Sequence, residues 1–390
     1  MPFDDQHAID TLIDILAVPG GSGTEGKVAD LVKKRLKKAG LPDSAFKDDT
    51  AHKRIPHDFE RGNLIVKIPG TVRGPRRMFS GHMDTVPVCR GADPVRKGNK
   101  IVPKGNTGLG GDDRVAVAAL VLLGEYLLRE KPAHPPITLL FTVGEEIGLY
   151  GAKEVKFTDL GKPAMGFNID GGSPAKLTTG AIGAARWEIE VHGKSAHAGV
   201  HPEDGVSATF IAARAIASLE ADGWFGNVQK GSQKGSCNIG VIEGGEATNQ
   251  ITDHVFIKGE SRSHSTKFVD RIVAAVEKAF TKEAKATRNR AGDRGSITFR
   301  AAKDYDAFRL RASEPAVQLA KKAVKQLGHD PVIEVTDGGL DANFLNLKGV
   351  PTVTLGAGQH DIHTTDEYVD IPEFLDGCRL VQSLATLGVS

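Results

Sequence analysis

Cysteine is scarce in this 390-residue chain: Cys89, Cys237 and Cys378 are far apart and odd in number. That excludes a disulfide framework and fits a reducing compartment, so a cytoplasmic protein is expected. No Cys-x-x-Cys occurs, which argues against a structural thiolate zinc site. Charge of one sign is also lacking. Fifty Lys+Arg against 49 Asp+Glu leave a net charge of +1, and that balance gives no reason to expect nucleic acid or an anionic membrane as partner. No apolar run approaches the roughly 20 residues needed to span a bilayer. The opening stretch MPFDDQHAIDTLIDILAVPG has neither a basic leader nor an apolar h-region, and reads as a first helix rather than a signal peptide. Repeats and low-complexity segments are missing too. What remains, 40% hydrophobic and 25% charged, is an ordinary globular composition. The length suits one large domain or two ordinary ones.

Against that plain background, five acidic and imidazole positions recur just past the ends of apolar runs. MFS (78–80) is followed by Gly81-His82-Met83-Asp84, and Gly110-Gly111-Asp112-Asp113 opens an apolar helical pattern. ITLLFTV ends in Gly144-Glu145-Glu146, AMGFNI in Asp170, and VPTVTL is followed by Gly-rich chain and His363. Short apolar runs bounded by Gly read as buried strands of a mostly parallel sheet. In open α/β sheets the ligand crevice lies beyond the carboxyl ends of the strands. Five separate segments therefore deliver His, Asp, Glu, Asp and His to one place.

Elsewhere the pattern sorts into two textures. VADLVKKRLKKAG has helical spacing with Gly40 as its stop, LIVKI (64–68) reads as a strand, and 112–130 reads as a long helix with Val115, Ala119, Leu122 and Tyr126 on one stripe. Asp112 and Asp113 fall at its N-terminus, where the helix dipole favours acidic groups. From about Gly180 the runs alternate: ARWEIEVHG, CNIGVIEGG, QITDHVFIKGESRS and GSITFRAAKDY suit half-exposed antiparallel strands, with helices at SATFIAARAIASLE and 268–285. The βα texture returns after 313. The expected organisation is a catalytic domain in two parts, 1–179 and 303–390, split by an inserted α+β sandwich at 180–302.

Mixed imidazole and carboxylate ligation without thiolate suits Zn, with Mn or Co as alternatives. Five ligands exceed one tetrahedral site that keeps a position open. With one carboxylate bridging, they divide evenly between two ions about 3.5–4 Å apart. Asp84, two residues from His82 on an extended chain, is placed to accept the other ring N–H of a ligating His. Glu145 precedes Glu146 and must point differently, and a carboxylate beside a metal pair is the usual general base of hydrolysis. Taken singly, each feature has a plainer reading: Asp112-Asp113 as a helix cap, Glu145-Glu146 as a solvated turn, His82 as a structural histidine. Their joint recurrence outweighs these. GNTGLGG lacks the Gly-Lys-Ser/Thr of a phosphate loop, so nucleotide binding is not expected.

The segments Gly81-His82-Met83-Asp84-Thr85-Val86-Pro87, Leu109 to Arg114, Gly144 to Gly148, Asn168 to Gly172 and His363 to Val369 resemble, in order, those of the co-catalytic dizinc peptidases and deacylases: peptidase T, carboxypeptidase G, succinyl-diaminopimelate desuccinylase and the aminoacylases. Asp170, where many members carry Glu, looks like the peptidase T branch. The resemblance implies that His82, Asp112 and Asp170 hold one zinc and His363, Asp112 and Glu146 the other, with Asp112 bridging and Asp113 outside the set. Glu145 would be the base and acid. Gly193-Lys-Ser-Ala-His197-Ala-Gly199 resembles the family's lid motif, and Asn249 and Arg262 fall where that lid carries substrate-contacting groups. His197 would be donated across a homodimer formed through the inserted domain. Gly338 to Asn343 resembles a glycine-rich loop facing the substrate, although Leu340 replaces a usual Ser or Thr. Tyr305 stands about where carboxypeptidase G has an arginine. The reading is a zinc-dependent exopeptidase of the tripeptide aminopeptidase kind, acting on small peptides. An N-acyl amino acid deacylase or dipeptidase, a dinuclear phosphoesterase and a non-catalytic binding homologue are the rivals.

Overall fold

Each apolar run becomes a strand because it is buried on both faces and stopped by Gly or a charged residue. The computed structural model describes residues 4–388. The chain divides into two compact units: Met1–Gly180 with Arg309–Thr336 and Leu340–Ser390, and Ala181–Phe308 with Asp337–Gly339.

The first unit begins with helices α1 (Asp5–Leu16) and α2 (Gly26–Lys38) and strands β1 (Phe46–Asp48), β2 (Leu64–Ile68) and β3 (Arg77–His82). Next come β4 (Pro94–Lys97), β5 (Lys100–Pro103), α3 (Gly111–Glu130), β6 (Ile137–Thr142), α4 (Tyr150–Glu154), β7 (Met165–Ile169) and β8 (Lys176–Ala181). The central sheet runs β1-β2-β6-β3-β7 and continues through β16 (Thr352–Leu355) to β8. Its middle, β6-β3-β7-β16, is parallel, while β2 and β8 join it antiparallel. The register pairs His82 with Thr142 and Ile169 with Leu355. The chain therefore leaves these strands at one edge of the sheet, with His82, Glu145, Glu146 and Asp170 at or just past the exits.

Helix α3 is buried on nearly every side from Gly111 to Gly124, not along one stripe. An apolar surface all round is what a helix packed inside a large domain needs. Gly81 lets it lie against β3, since a Cβ there would come within 2.3 Å of the Ala116 methyl. Both acids lie in its first turn, although the backbone there is irregular. Asp112 (ψ 104°) and Asp113 (φ −120°, ψ 39°) have non-helical backbone and are joined by a cis peptide bond, so the pair forms an irregular turn before the regular helix.

In the second unit, β9 (Gly183–His192), β10 (Gly226–Lys230), β11 (Gln233–Gly244), β12 (His254–Ser263) and β13 (Ser296–Tyr305) form an antiparallel sheet in the order β10-β11-β12-β9-β13. Helices α5 (Ala208–Ala221) and α6 (Thr266–Ala286) cover one face, where Trp187, Ile189, Val191, Ile257, Phe268 and Phe280 are buried. The alternation read in the sequence is this one-sided burial. The chain returns to the first unit through β14 (Phe308–Arg309), α7 (Pro315–Gln326), β15 (Val332–Thr336), α8 (Asp341–Leu347) and β16. After them come β17 (Gln359–His360), β18 (Tyr368–Asp370) and α9 (Ile371–Thr386). The small sheet β17-β18-β5-β4 has no counterpart in the sequence reading. Strands of two to four residues are too short to carry a period. Among the described residues no helix is long and apolar enough to cross a membrane.

Candidate metal centre

His82 ends β3 and is 2% exposed. Its Nε2 lies 3.1 Å from Asp112 Oδ1. The other Asp112 oxygen, Oδ2, lies 3.2 Å from His363 Nε2. One carboxylate thus sits between two imidazoles that are far apart in the chain. His363 Nε2 is also 3.0 Å from Glu146 Oε2. It is held by a backbone in the left-handed region (φ 64°), which non-glycine residues seldom occupy outside functional turns. Asp170 follows β7, and the Gln359 amide donates to both Asp112 and Asp170 at 3.3 Å. Two donor groups result, His82–Asp112–Asp170 and Asp112–Glu146–His363. In each, one ligand atom per residue lies within 4.8 Å of the others.

A second layer of buried acids holds the backbone that carries these donors. Glu367, 1% exposed, accepts the amides of Leu109 (2.7 Å), Gly110 (2.8 Å) and Asp112 (3.1 Å). Asp113 accepts the amide of His82 at 3.1 Å. Glu25 accepts the amides of Gly23 and Gly144, each at 3.0 Å. Gly144 has φ 60°, the turn that aims Glu145 and Glu146 away from β6. The Asp84 carboxylate lies beside the His82 ring and also makes contacts of its own. His82 Nδ1 lies 3.0 Å from the Asp84 carbonyl oxygen and 3.5 Å from its carboxylate. That carboxylate accepts the Ser22 hydroxyl (2.6 Å) and the amides of Glu145 (3.1 Å) and Glu146 (3.3 Å). Asp84 therefore lies against the imidazole and also anchors the amides of the acid pair. Arg114 is not free for an anion: its guanidinium donates to the carbonyls of Ile15, Val18 and Gly20.

So many buried carboxylates hold one another's charge in check. Burial, with the charge of Asp112 added, pushes Asp170 up to about 7. Burial pushes Glu145 well above the usual carboxylate range; His82 opposes this, while Asp170, Asp341 and Glu146 add to it. Burial would raise Asp112 as well, yet hydrogen bonds from His363 and His82 hold it well below that range. Hydrogen bonds to Asp112 and Glu146 lift His363 to about 10. Asp341, whose carboxylate takes the Thr142 hydroxyl, is pushed by burial to about 6. This is the electrostatic profile of a site that asks for cations. Its nitrogen and oxygen donors suit divalent ions of the Zn, Mn or Co type. A cavity of about 550 Å³ opens beside Glu146, walled by Leu16, Val18, Pro87, Cys89, Leu109 and Ile147.

His197, Asn249 and Arg262 belong to the second unit. His197 bridges to Gln250, and Ala198 N–H donates to the Asn249 carbonyl at 2.9 Å, so two distant loops meet there. His197 Nδ1 accepts the Gly199 amide at 3.2 Å, which places the proton of the neutral ring on Nε2. Arg262 is forked onto Glu260 at 2.9 and 3.0 Å rather than standing free. Of the residues that hold the centre, Glu25, Gln359, Asp341 and Glu367 were given no role from sequence. Glu367, four residues past His363, and Asp341, in the glycine-rich loop from Gly338 to Asn343, lie in segments already singled out.

Residues 78–387 match peptidase family M20/M25/M40, and the chain belongs to that family. The Bacillus subtilis protein YqjE is 30% identical over 382 residues, covering 98% of each chain. Two solved structures mark the branch. Aminopeptidase PepT from Bacillus cereus is 31% identical with a TM-score of 0.88, and a tripeptidase from Staphylococcus aureus is 28% identical with a TM-score of 0.89. Each match covers 98% of both chains. The protein is thus a metallopeptidase of the peptidase T type.

Proposed function

We propose that this metallopeptidase holds two divalent ions, zinc first among them, and removes the N-terminal residue of short peptides, tripeptides foremost. The Asp112 carboxylate, shared between His82 and His363, is the observation that carries the reading. His82, Asp112 and Asp170 would hold one ion, and Asp112, Glu146 and His363 the other. When bound, the pair supplies Lewis acidity to the scissile carbonyl and the attacking water. Glu145, adjoining the ligand set and anchored through its amide to Asp84, takes the proton of that water and returns it to the leaving amine. His197 offers Nε2–H to the oxyanion of the tetrahedral intermediate, from the partner subunit of a cytoplasmic homodimer built through the second unit. Asn249 and Arg262 bind substrate, and a substrate carboxylate reaches Arg262 by displacing Glu260. The apolar wall of the cavity beside Glu146 fits a hydrophobic side chain next to the scissile bond.

Assay of tripeptides, dipeptides and N-acetyl amino acids, with and without chelator, tests this. Tripeptides should be cut fastest, from the amino end, and only without chelator. Preferred cleavage of N-acetyl amino acids would replace the reading with deacylation, and full activity in chelator would end the dinuclear mechanism.

A further inference from the structure

The uncovered face of the second unit's sheet carries another imidazole–carboxylate cluster, which the peptidase reaction does not use. On β9, Glu190 and His192 stand two residues apart, alternating with Ile189 and Val191, which are buried against the helices. On β12, His254 pairs directly across from His192. Side chains opposite one another in an antiparallel pair share a face, as do residues i and i+2 of one strand. The register alone therefore sets three donors side by side. One ligand atom from each lies within 4.8 Å of the others. The imidazole centroids are 5.6 Å apart. Glu190 Oε2 is 3.7 Å from His254 Nε2 and 4.0 Å from His192 Nε2. The side chains of His192, Glu190 and His254 are 40%, 31% and 50% exposed, so an ion can reach them with water still attached.

We propose that Glu190, His192 and His254 form a third divalent-metal site, for a borderline ion such as Zn²⁺. Two imidazole nitrogens and one carboxylate oxygen are a complete protein ligand set for tetrahedral zinc, with water in the fourth position. A hydrogen-bonded ladder holds the three positions in the absence of the ion, so binding orders side chains and not backbone. Two neighbours from β13 compete. Arg300 lies 3.2 Å from Glu190 Oε1, which leaves Oε2 as the oxygen nearer the imidazoles. The Thr298 hydroxyl lies 3.1 Å from His192 Nε2 and yields that nitrogen when the ion enters. On the same face Lys258 and Glu188 are paired with each other, and Glu243 on β11 stands across from Phe256. With Arg300 beside the only carboxylate, the site should bind more weakly than the buried centre of the first unit.

Two measurements test the site without relying on activity. The full-length protein and His192→Ala/His254→Ala are dialysed against the same micromolar Zn²⁺, and their metal content is compared. The native chain should keep one equivalent more, with both proteins equally active on peptide. Histidine modification by diethyl pyrocarbonate, mapped by mass spectrometry, supplies the residue-level readout. Zn²⁺ should protect His192 and His254, and should do so equally in Asp112→Ala, which alters the other centre. Equal metal content in the native chain and the double variant would overturn the proposal. So would modification of both histidines at the same rate with and without Zn²⁺. Loss of metal in Asp112→Ala alone bears on the peptidase centre and leaves this site standing.

Discussion

The two units spend charged residues in opposite ways. In the first, carboxylates and imidazoles are buried at irregular backbone beyond strand exits, and each needs another buried group to hold it. In the second, Glu188, Glu190, Lys258 and Arg300 stand at regular strand positions, half in water, and pair with whatever lies across the ladder. Buried polar networks are costly when broken, because each lost partner orphans a group that water cannot easily reach. Exposed pairs are cheap to lose. Position in the fold, more than residue type, should therefore set the effect of a substitution.

The steepest test is Asp112→Ala. It removes the carboxylate between two imidazoles, and both donor groups lose a member. Most of the metal and essentially all peptidase activity should go, as read by metal analysis and tripeptide turnover. Two equivalents of metal retained would contradict a shared carboxylate. Next is Glu145→Gln, which keeps the ligand set and removes the proton carrier. Metal content should stay native while kcat falls about 10²–10⁴-fold. Near-native turnover in the metal-replete variant would dismiss Glu145 as the base.

Glu367→Ala asks whether the acids behind the donors matter as argued. It strips partners from three amides, those of Leu109, Gly110 and Asp112. At about 1–3 kcal/mol for each buried group left unsatisfied, a loss of roughly 3 kcal/mol or more is expected in denaturant unfolding. Metal affinity should fall about 10–100-fold, since a supporting partner of the site is gone. A stable variant with native affinity would remove the supporting layer from the account.

That layer is also where the sequence falls silent. His82, Asp112, Glu146, Asp170 and His363 were legible because each follows an apolar run or opens one, and the fold class followed from the same runs. Glu25 immediately precedes α2 as its N-cap. It is also wholly buried beneath the turn at Gly144, a contact between positions 119 residues apart that no local pattern shows. Gln359 sits in a two-residue strand with no pattern to read. The Asp84 carboxylate was expected on the imidazole two residues away; it lies 3.5 Å from that ring and also accepts amides 61 and 62 residues away, which spacing did not show. Local spacing shows which groups converge. It does not show which backbone amides will need an acceptor once the chain has folded.

Glu25→Gln gives a smaller effect with a definite sign in pH. Burial, aided by the charge of Asp84, raises Glu25 from 4.5 to about 8. Between those values the unfolded chain releases this proton and the native chain keeps it, so the contribution to stability falls as pH rises and levels off above about 8. Glutamine keeps the acceptor for Gly23 and Gly144 and has no proton to lose. The variant should therefore melt higher than the native protein at pH 8, with the margin shrinking toward pH 4.5. A margin independent of pH would show that Glu25 does not hold its proton in the fold.

The least effect is expected from Lys258→Ala, and it is the sharpest check on the contrast. Lys258 Nζ lies 3.1 Å from Glu188 Oε1, directly across the ladder, and 5.2 Å from the Phe256 ring. By contact distance alone this pair equals His82–Asp112. Its side chains, however, are 52% and 42% exposed, so water screens the attraction and solvates either charge when the other is removed. Exposed pairs of this kind contribute about 0.2–1 kcal/mol, and cross-strand contact on a half-exposed face lies in the same range. Denaturant unfolding of Lys258→Ala should shift by no more than that, and the shift should shrink in high salt. If the loss instead matched that of Glu367→Ala, burial would not be what separates the two units, and the ranking of every substitution above would have to be redrawn from the contacts themselves.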